Sequence, residues 1–117
     1  EEVYIFDTRS PEEYQTSYIP GAQFVGYEGF KPETVANIPK DSTIILYCAV
    51  GYRSEKVGEQ LKNSGYKNVK NLYGGIFEWV NQGNPVITPK GDTTKMLHTY
   101  SKKWSKWVNN PAIEKVW

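Results

Sequence analysis

The sequence predicts an α/β domain in which helices flank a mainly parallel β-sheet, followed by an aromatic and basic C-terminal extension. Short apolar runs alternate with segments that carry helix start and stop signals, and short turns join them. The length of 117 residues suits one hydrophobic core. Residues 1–88 carry 8 Lys+Arg against 11 Asp+Glu, a net charge of −3, whereas residues 89–117 carry 6 against 2, a net charge of +4. We therefore expect a domain over 1–88 and an extension over 89–117.

The first two elements are a strand and a helix. Residues 3–9, VYIFDTR, indicate a buried strand that ends in charged residues. Ser10 is suited to cap the following helix, and Pro11 suits its first position, where no N–H is needed. Glu12 and Glu13 then lie near the positive end of the helix dipole.

The middle of the chain contains the clearest strand. Residues 19–26 indicate a turn that leads into a short extended segment. Residues 31–40 indicate a short helix bounded by Pro32 and Pro39. Residues 42–48, STIILYC, are rich in β-branched and aliphatic side chains, which is typical of a buried strand of a parallel sheet.

Two helices and one strand complete the predicted domain. The first helix begins at Ser54, as its cap, and runs to Ser64, with Gly65 ending it. Residues 67–72 indicate another strand. After a glycine turn, residues 76–82 predict a short helix whose inward side chains are Ile76, Trp79 and Val80.

The C-terminal extension combines lysines with aromatic residues. Over residues 93–110, one set of apolar side chains recurs at helical spacing: Leu97, Tyr100, Trp104 and Trp107. This pattern predicts a helix, although several of its residues are mediocre helix formers. The stripe could pack on the domain, lie on an anionic membrane surface, or bind nucleic acid by stacking. We expect packing on the domain, and no nucleic-acid partner, because aromatic stripes usually become buried. His98 is expected to be a packed or surface residue, with a base near the pocket as the alternative.

Composition excludes several classes of site. No apolar run is long enough to span a bilayer, and the first residues do not have the pattern of a leader peptide. The chain opens almost directly on a core strand, which is compatible with the loss of upstream sequence and a leader. Cytoplasmic and periplasmic locations both stay open. The single cysteine cannot form an internal disulfide, and we expect no metal site.

That single cysteine, Cys48, lies where the clearest strand ends. In parallel α/β sheets, ligands bind outside the carboxyl ends of the strands. The short loop 49–53 then enters a helix, so that backbone N–H groups, the positive helix end and Arg53 all favour thiolate over thiol. These features indicate a nucleophile inside an anion-binding cradle. The alternative is a free cysteine that only packs in the core.

Four segments together resemble the rhodanese family of single-domain sulfurtransferases. DTRSPEEY resembles the Asp-x-Arg stretch of that family, and YIPGA is similar to its His-Ile-Pro-Gly-Ala element. YCAVGYRS resembles the active-site loop, and NLYGGIFEWVNQGNPV resembles the closing Gly-Gly, Trp, Gly-x-Pro segment. In order, these segments span residues 7–14, 18–22, 47–54 and 71–86. The resemblance covers about residues 3–88 and implies the three-layer rhodanese fold.

The resemblance also implies a reaction. Cys48 would take a sulfane sulfur from a donor such as thiosulfate and pass it, through a persulfide, to cyanide, a thiol or a protein thiol. No cofactor would be required. The cradle would consist of Ala49, Val50, Gly51, Tyr52 and Arg53. Asp7, Arg9 and Glu13 would lie at or beneath the pocket wall, with Arg9 in a structural ion pair with an acidic partner.

Departures from the family pattern leave alternatives open. Ser17 and Tyr18 replace the usual glycine and histidine, and Arg53 is the only charge in the loop, so thiosulfate specificity does not follow. Phosphatases and arsenate reductases of related fold use Cys-x5-Arg, whereas the spacing from Cys48 to Arg53 is Cys-x4-Arg, which makes a smaller cradle. An inactive rhodanese-like binding module is the other alternative, although such modules have typically lost the cysteine.

Overall fold

The computed structural model describes residues 2–117, and its centre is a four-stranded parallel sheet. The strands follow the order β2-β1-β3-β4, and β3 pairs with both β1 and β4. Their bounds are Val3–Asp7 for β1, Ala22–Phe24 for β2, Thr43–Tyr47 for β3 and Asn68–Asn71 for β4. The predicted parallel sheet is therefore confirmed, and Cys48 follows the end of a central strand.

Helices connect these strands. Their bounds are Pro11–Thr16 for α1, Tyr52–Asn63 for α2, Gly75–Asn81 for α3 and Lys102–Ser105 for α4, with a 3-10 helix at Pro32–Val35. Ser10 caps α1 as predicted, because its Oγ accepts from the N–H of Glu13 while the Glu13 carboxylate accepts from the N–H of Ser10. This reciprocal pair is a capping box.

Two helix predictions need correction. The segment 31–40 contains only the four-residue 3-10 helix, because Pro39 disfavours helical backbone in the residue before it. The helix predicted from Ser54 begins two residues earlier, at Tyr52, and its cap is Gly51. Gly51 adopts φ 131°, a conformation that side chains other than hydrogen disfavour, and this turn directs the chain from the cysteine loop into α2.

The sheet is buried on both faces. Along β3, Ile44 and Leu46 join one apolar cluster with Val57 and Leu61 of α2. The alternate residue Tyr47 joins a second cluster on the other face. That second cluster includes Ile76, Phe77 and Val80 of α3, and Trp79 is partly buried against it. The prediction that Ile76, Trp79 and Val80 point inward therefore holds for Ile76 and Val80 and in part for Trp79, and it missed Phe77. The result is the predicted arrangement of a sheet between two helical layers.

The C-terminal extension contains short strands, turns and one four-residue helix, so the helix predicted over 93–110 is wrong. Strand β5, Val86–Ile87, pairs antiparallel with β6, Thr93–Thr94, and β7, Met96–His98, pairs in parallel with β8, Glu114–Val116. Only α4 is helical there. The helical spacing fails because β7 finds a strand partner and because Tyr100 takes φ 74°, which ends any regular helix.

The extension lies against α1 and α3. Leu97 and Val108 are fully buried in the second apolar cluster. The side chain of Asn81, in α3, accepts from the N–H of Asn109 at 2.8 Å and donates to the carbonyl of Trp107 at 3.0 Å. A domain boundary at residue 88 stays a prediction, and the β5–β6 pair runs across that position. Within residues 2–117, every helix is too short or too polar to cross a bilayer.

Candidate active site

The sulfur of Cys48 lies at the start of helix α2. Its Sγ accepts a hydrogen bond from the N–H of Gly51 at 3.0 Å and lies 3.6 Å from the hydroxyl oxygen of Ser54. The first turn of a helix leaves its N–H groups without intrahelical acceptors, and here those groups belong to Tyr52, Arg53 and Ser54. A negative charge on the sulfur, or on a group bound to it, would be stabilised by this helix end.

A side chain of strand β4 fixes the turn from the other side. Asn71 donates from Nδ2 to the carbonyl of Gly51 at 3.1 Å, and its Oδ1 accepts from the Ser54 hydroxyl at 2.6 Å. These two bonds tie the Gly51 carbonyl and the Ser54 side chain to strand β4. Asn71 was not predicted as a site residue, because no local sequence pattern shows that an exposed strand residue contacts a loop 20 residues earlier.

Helix α3 supports the cysteine loop from beneath. The N–H groups of Ile76 and Phe77 donate to the carbonyls of Cys48 and Ala49, at 3.0 and 3.2 Å. The preceding residue, Gly75, approaches so closely that an added Cβ would lie 2.4 Å from the Ala49 carbonyl oxygen. Only glycine fits at that point, which explains the second glycine of the segment YGG.

The acidic and basic residues of the first strand form a buried network. Arg9 pairs with Asp7 at 2.7 Å, and both side chains are fully buried, so the expected acidic partner of Arg9 is Asp7. The Tyr47 hydroxyl donates to the same carboxylate at 2.6 Å. Burial, reinforced by the charge of Asp7, raises the pKa of Tyr47 well above its ordinary value. Although burial by itself lowers the pKa of Arg9, the charge and hydrogen bonds of Asp7 raise it. The network holds the base of the site rigid.

A second ion pair joins α1 to the cysteine loop. Arg53 binds Glu13 through both ends of its guanidinium, at 2.8 and 3.1 Å. Burial by itself raises the pKa of Glu13, but the hydrogen bonds and charge of Arg53 hold it below its ordinary value. The structure thus differs from expectation: the positive charge of Arg53 is compensated by a buried carboxylate, because the capping box positions Glu13 toward the loop.

An open pocket of about 740 Å³ reaches Cys48. Arg9, Val50, Tyr52 and Arg53 line it with the cysteine, which is only 1% exposed and therefore lies at the pocket's inner end. Two residues of the extension, Tyr100 and Trp104, also line it. Their aromatic stripe was visible in the sequence, but nothing local placed it beside the cysteine.

Three further predicted positions have roles away from the cysteine. His98 accepts from the N–H of Tyr100 through Nδ1 at 3.0 Å and is not among the residues that line the pocket. Tyr18, which replaces the family's histidine, stacks on Tyr14 at 4.3 Å and also lies outside the lining. The buried Ser17 donates to the carbonyl of Met96 at 2.7 Å and so holds the extension. Within residues 2–117, no group of three or more acidic, histidine or cysteine side chains is arranged to hold a metal ion.

Comparisons with known proteins agree with this architecture. The family model described as Rhodanese-like domain matches residues 1–82. A sulfurtransferase of Allochromatium vinosum is 36% identical over 91 residues, which cover 78% of this chain and 84% of that protein. A rhodanese from E. coli, solved with anions, superposes with a TM-score of 0.64 at 28% identity, over 74% of this chain and 98% of that one.

Some relatives contain a similar domain but are named for a different activity. The tRNA uridine(34) hydroxylase of Erwinia tasmaniensis is 30% identical over 94 residues, which cover 73% of this chain but only 27% of the hydroxylase. The chain thus spans about a quarter of that protein. The domain is shared by proteins of more than one named function.

Proposed function

The chain belongs to the rhodanese-like domain family, and on that premise we propose that it transfers sulfane sulfur through a persulfide on Cys48. The observation that carries the proposal is the position of the Cys48 sulfur, 3.0 Å from the Gly51 N–H at the start of α2. An anionic sulfur, first as thiolate and then as persulfide, is stabilised at that point. The sulfurtransferase of Allochromatium vinosum, which the chain matches over most of both lengths, supports the same chemistry.

The reaction needs two displacements at sulfur. The Cys48 thiolate attacks the sulfane sulfur of the donor, a new S–S bond forms at Sγ, and the donor's bond to that sulfur breaks with its electron pair. With thiosulfate the leaving group is sulfite, and with an organic persulfide it is a thiolate. The acceptor, cyanide or a thiolate, then attacks the outer sulfur of the persulfide, and the electron pair of the S–S bond returns to Cys48. No other oxidant or reductant takes part.

Two features weigh against the alternatives. A phosphatase needs its arginine fork free for the oxyanion, whereas the fork of Arg53 already binds Glu13 at both ends. An inactive binding module is expected to have a blocked pocket, whereas a pocket of about 740 Å³ reaches Cys48. Both observations favour sulfur transfer.

Intact-protein mass spectrometry tests the proposal. The protein is incubated with thiosulfate, 3-mercaptopyruvate or polysulfide, and a mass gain of one sulfur atom is expected. Because Cys48 is the only cysteine, the gain must disappear in Cys48→Ser. Addition of cyanide must remove the extra sulfur and release one equivalent of thiocyanate. Absence of any gain with these three donors and with an organic persulfide, from a folded protein, would refute the proposal.

A further inference from the structure

We propose that Tyr100 and Trp104 of the extension form an aromatic wall that makes the Cys48 pocket select an organic persulfide with an apolar, uncharged organic group over inorganic thiosulfate. This inference rests on the proposed function and adds a donor class to it. The wall lies outside residues 1–82, the part that matches the family model. It therefore belongs to what distinguishes this chain rather than to the shared domain.

The pocket is lined by aromatic groups on opposite sides. From the extension, Tyr100 and Trp104 contribute rings whose centroids are 4.6 Å apart. From the domain, the aromatic lining residues are Phe24, Tyr27 and Tyr52. Tyr100 is 52% exposed, so its ring is accessible to a molecule that enters the pocket. Pockets of some hundreds of Å³ that combine apolar and aromatic side chains with a few polar groups are typical of sites for organic molecules.

The position of Tyr100 is held at a conformational cost. Its φ of 74° is left-handed and is the only such value at a non-glycine position among residues 2–117. Two contacts hold it there: its N–H donates to His98 Nδ1 at 3.0 Å, and its ring lies 5.2 Å from the Arg53 guanidinium. Strained backbone is concentrated at functional sites, where it fixes a side chain in one place. Here it fixes an aromatic ring at the pocket.

The charges around the pocket disfavour a dianion. Its two arginines, Arg9 and Arg53, each pair with a buried carboxylate. Among the buried side-chain nitrogen and oxygen atoms of residues 2–117, only Nη1 of Arg9 is left without a hydrogen-bond partner. The remaining charged residues of the lining, Glu12 and Glu28, are acidic and exposed. The charged side chains at and next to the lining therefore sum to a net negative charge, and the positive field at the sulfur comes from the start of α2. Thiosulfate carries two negative charges and must approach the cysteine thiolate, whereas a persulfide with an uncharged organic group carries one at most, and none in the protonated form R–S–S–H that reacts.

The organic part of such a donor would meet the wall while its terminal sulfur reaches the buried cysteine. The Cys48 thiolate attacks the terminal sulfur, the bond between the two donor sulfurs breaks, and R–S− leaves with the electron pair. The proton stays on the transferred sulfur, and no charge is gained or lost overall. Because Cys48 is 1% exposed, only a sulfur at the end of a donor reaches it, a condition that both an organic persulfide and thiosulfate meet, so the wall and not the reach to Cys48 makes the difference.

The test compares three donors: phenylmethyl persulfide, methyl persulfide and thiosulfate. The rate constant for sulfur gain at Cys48 is measured by quenched mass spectrometry and divided by the rate constant of each donor with free N-acetylcysteine, which removes intrinsic reactivity. We expect phenylmethyl persulfide to rank first, by about tenfold over methyl persulfide, and thiosulfate to rank last. Thiosulfate ranking first after this correction would overturn the inference.

Variants then test whether Tyr100 and Trp104 cause the preference for phenylmethyl persulfide. Tyr100→Ala and Trp104→Ala should each lower the corrected rate for phenylmethyl persulfide by about 3- to 10-fold and change the other two donors less than about twofold. Tyr100→Phe should retain the preference because it keeps the ring. Tyr73→Ala is the matched control, since Tyr73 is an exposed aromatic residue that does not line this pocket. Equal losses with all three donors, or none, would contradict the proposal.

A binding measurement separates failure of this inference from failure of sulfur transfer. Cys48→Ser protein is titrated with phenylmethanethiol, and the indole N–H signal of Trp104 is followed by NMR. A saturable shift that disappears in the Tyr100→Ala background supports the wall even if no donor transfers sulfur. An unshifted signal overturns the inference even if thiosulfate proves to be a donor.

Discussion

Replacing Glu13 by Gln is expected to destabilise the protein by about 2–3 kcal/mol at neutral pH. Both side chains of the Glu13–Arg53 pair are shielded, with 0% and 13% exposure. Two unit charges about 4 Å apart near a protein surface attract by about 4 kcal/mol. Glutamine keeps the shape of the side chain and one neutral hydrogen bond, worth about 1 kcal/mol. The remainder is lost, because Arg53 stays partly buried without a counter-charge.

The loss should depend on pH in a defined direction. The pKa of Glu13 lies below its ordinary value of 4.5 in the folded protein. Its contribution is therefore present in full above that ordinary value and disappears as the pH falls through the folded-state pKa. The free energies of unfolding of wild type and Glu13→Gln should differ most at pH 7 and converge in acid. Urea titrations followed by tryptophan fluorescence, repeated between about pH 7 and 3, measure both curves.

The neighbouring carboxylate supplies the control for this prediction. Glu12 lies in the same first turn of α1 but is exposed and pairs with no arginine among residues 2–117. Glu12→Gln should change the free energy of unfolding by less than about 0.5 kcal/mol. If Glu13→Gln behaves like Glu12→Gln, or if its deficit is constant from neutral to acid pH, the buried-pair reasoning is refuted.

Three further predictions concern the supports of the site. Gly75→Ala should lower the free energy of unfolding, measured in urea, by more than about 3 kcal/mol, because its Cβ would lie 2.4 and 2.6 Å from two carbonyl oxygens of the cysteine loop. Gly83→Ala is the control: its Cβ would meet open space, and the loss should be only about 1 kcal/mol. Tyr47→Phe should lower the free energy of unfolding by about 2 kcal/mol at pH 7, because the hydrogen bond to Asp7 is removed. Between about pH 10 and 12 the free energy of unfolding of wild type should fall by about 2 kcal/mol more than that of the variant, because the pKa of Tyr47 is raised in the folded protein. If the two free energies fall in parallel over this pH range, the pKa of Tyr47 is not raised. Asn81→Ala should release residues 107–117 to limited proteolysis while the rest of the chain resists; uniform cleavage, or none, would show that Asn81 does not hold the extension.

Local signals in the sequence predicted the position of the cysteine and the start of helix α1. Ser10 and Glu13 are three residues apart, and their capping box follows from that spacing. Cys48 follows a β-branched strand and precedes a glycine turn, so its place at a strand end also follows from local pattern. Such features depend on a few neighbouring residues and on backbone preferences, which a sequence displays directly.

Features that depend on residues far apart in the chain could not be predicted from the sequence. Glu13 and Arg53 are 40 residues apart, and no spacing rule indicates which of several acids meets which arginine. Likewise, Leu97, Tyr100 and Trp104 have helical spacing, but pairing of β7 with β8 overrides that weak preference. The compensation of Arg53 and the aromatic wall are both products of tertiary contacts, and both bear on substrate choice.

The parallel pairing of β7 with β8 has a consequence for how the site is supported. It closes a loop over residues 99–113 that contains both Tyr100 and Trp104. The hydrogen-bond partners described for the cysteine loop lie no further along the chain than α3, which ends at residue 81. The wall is held instead by a strand pair that requires residues 114–116. The loop and the wall therefore depend on different parts of the chain for their support.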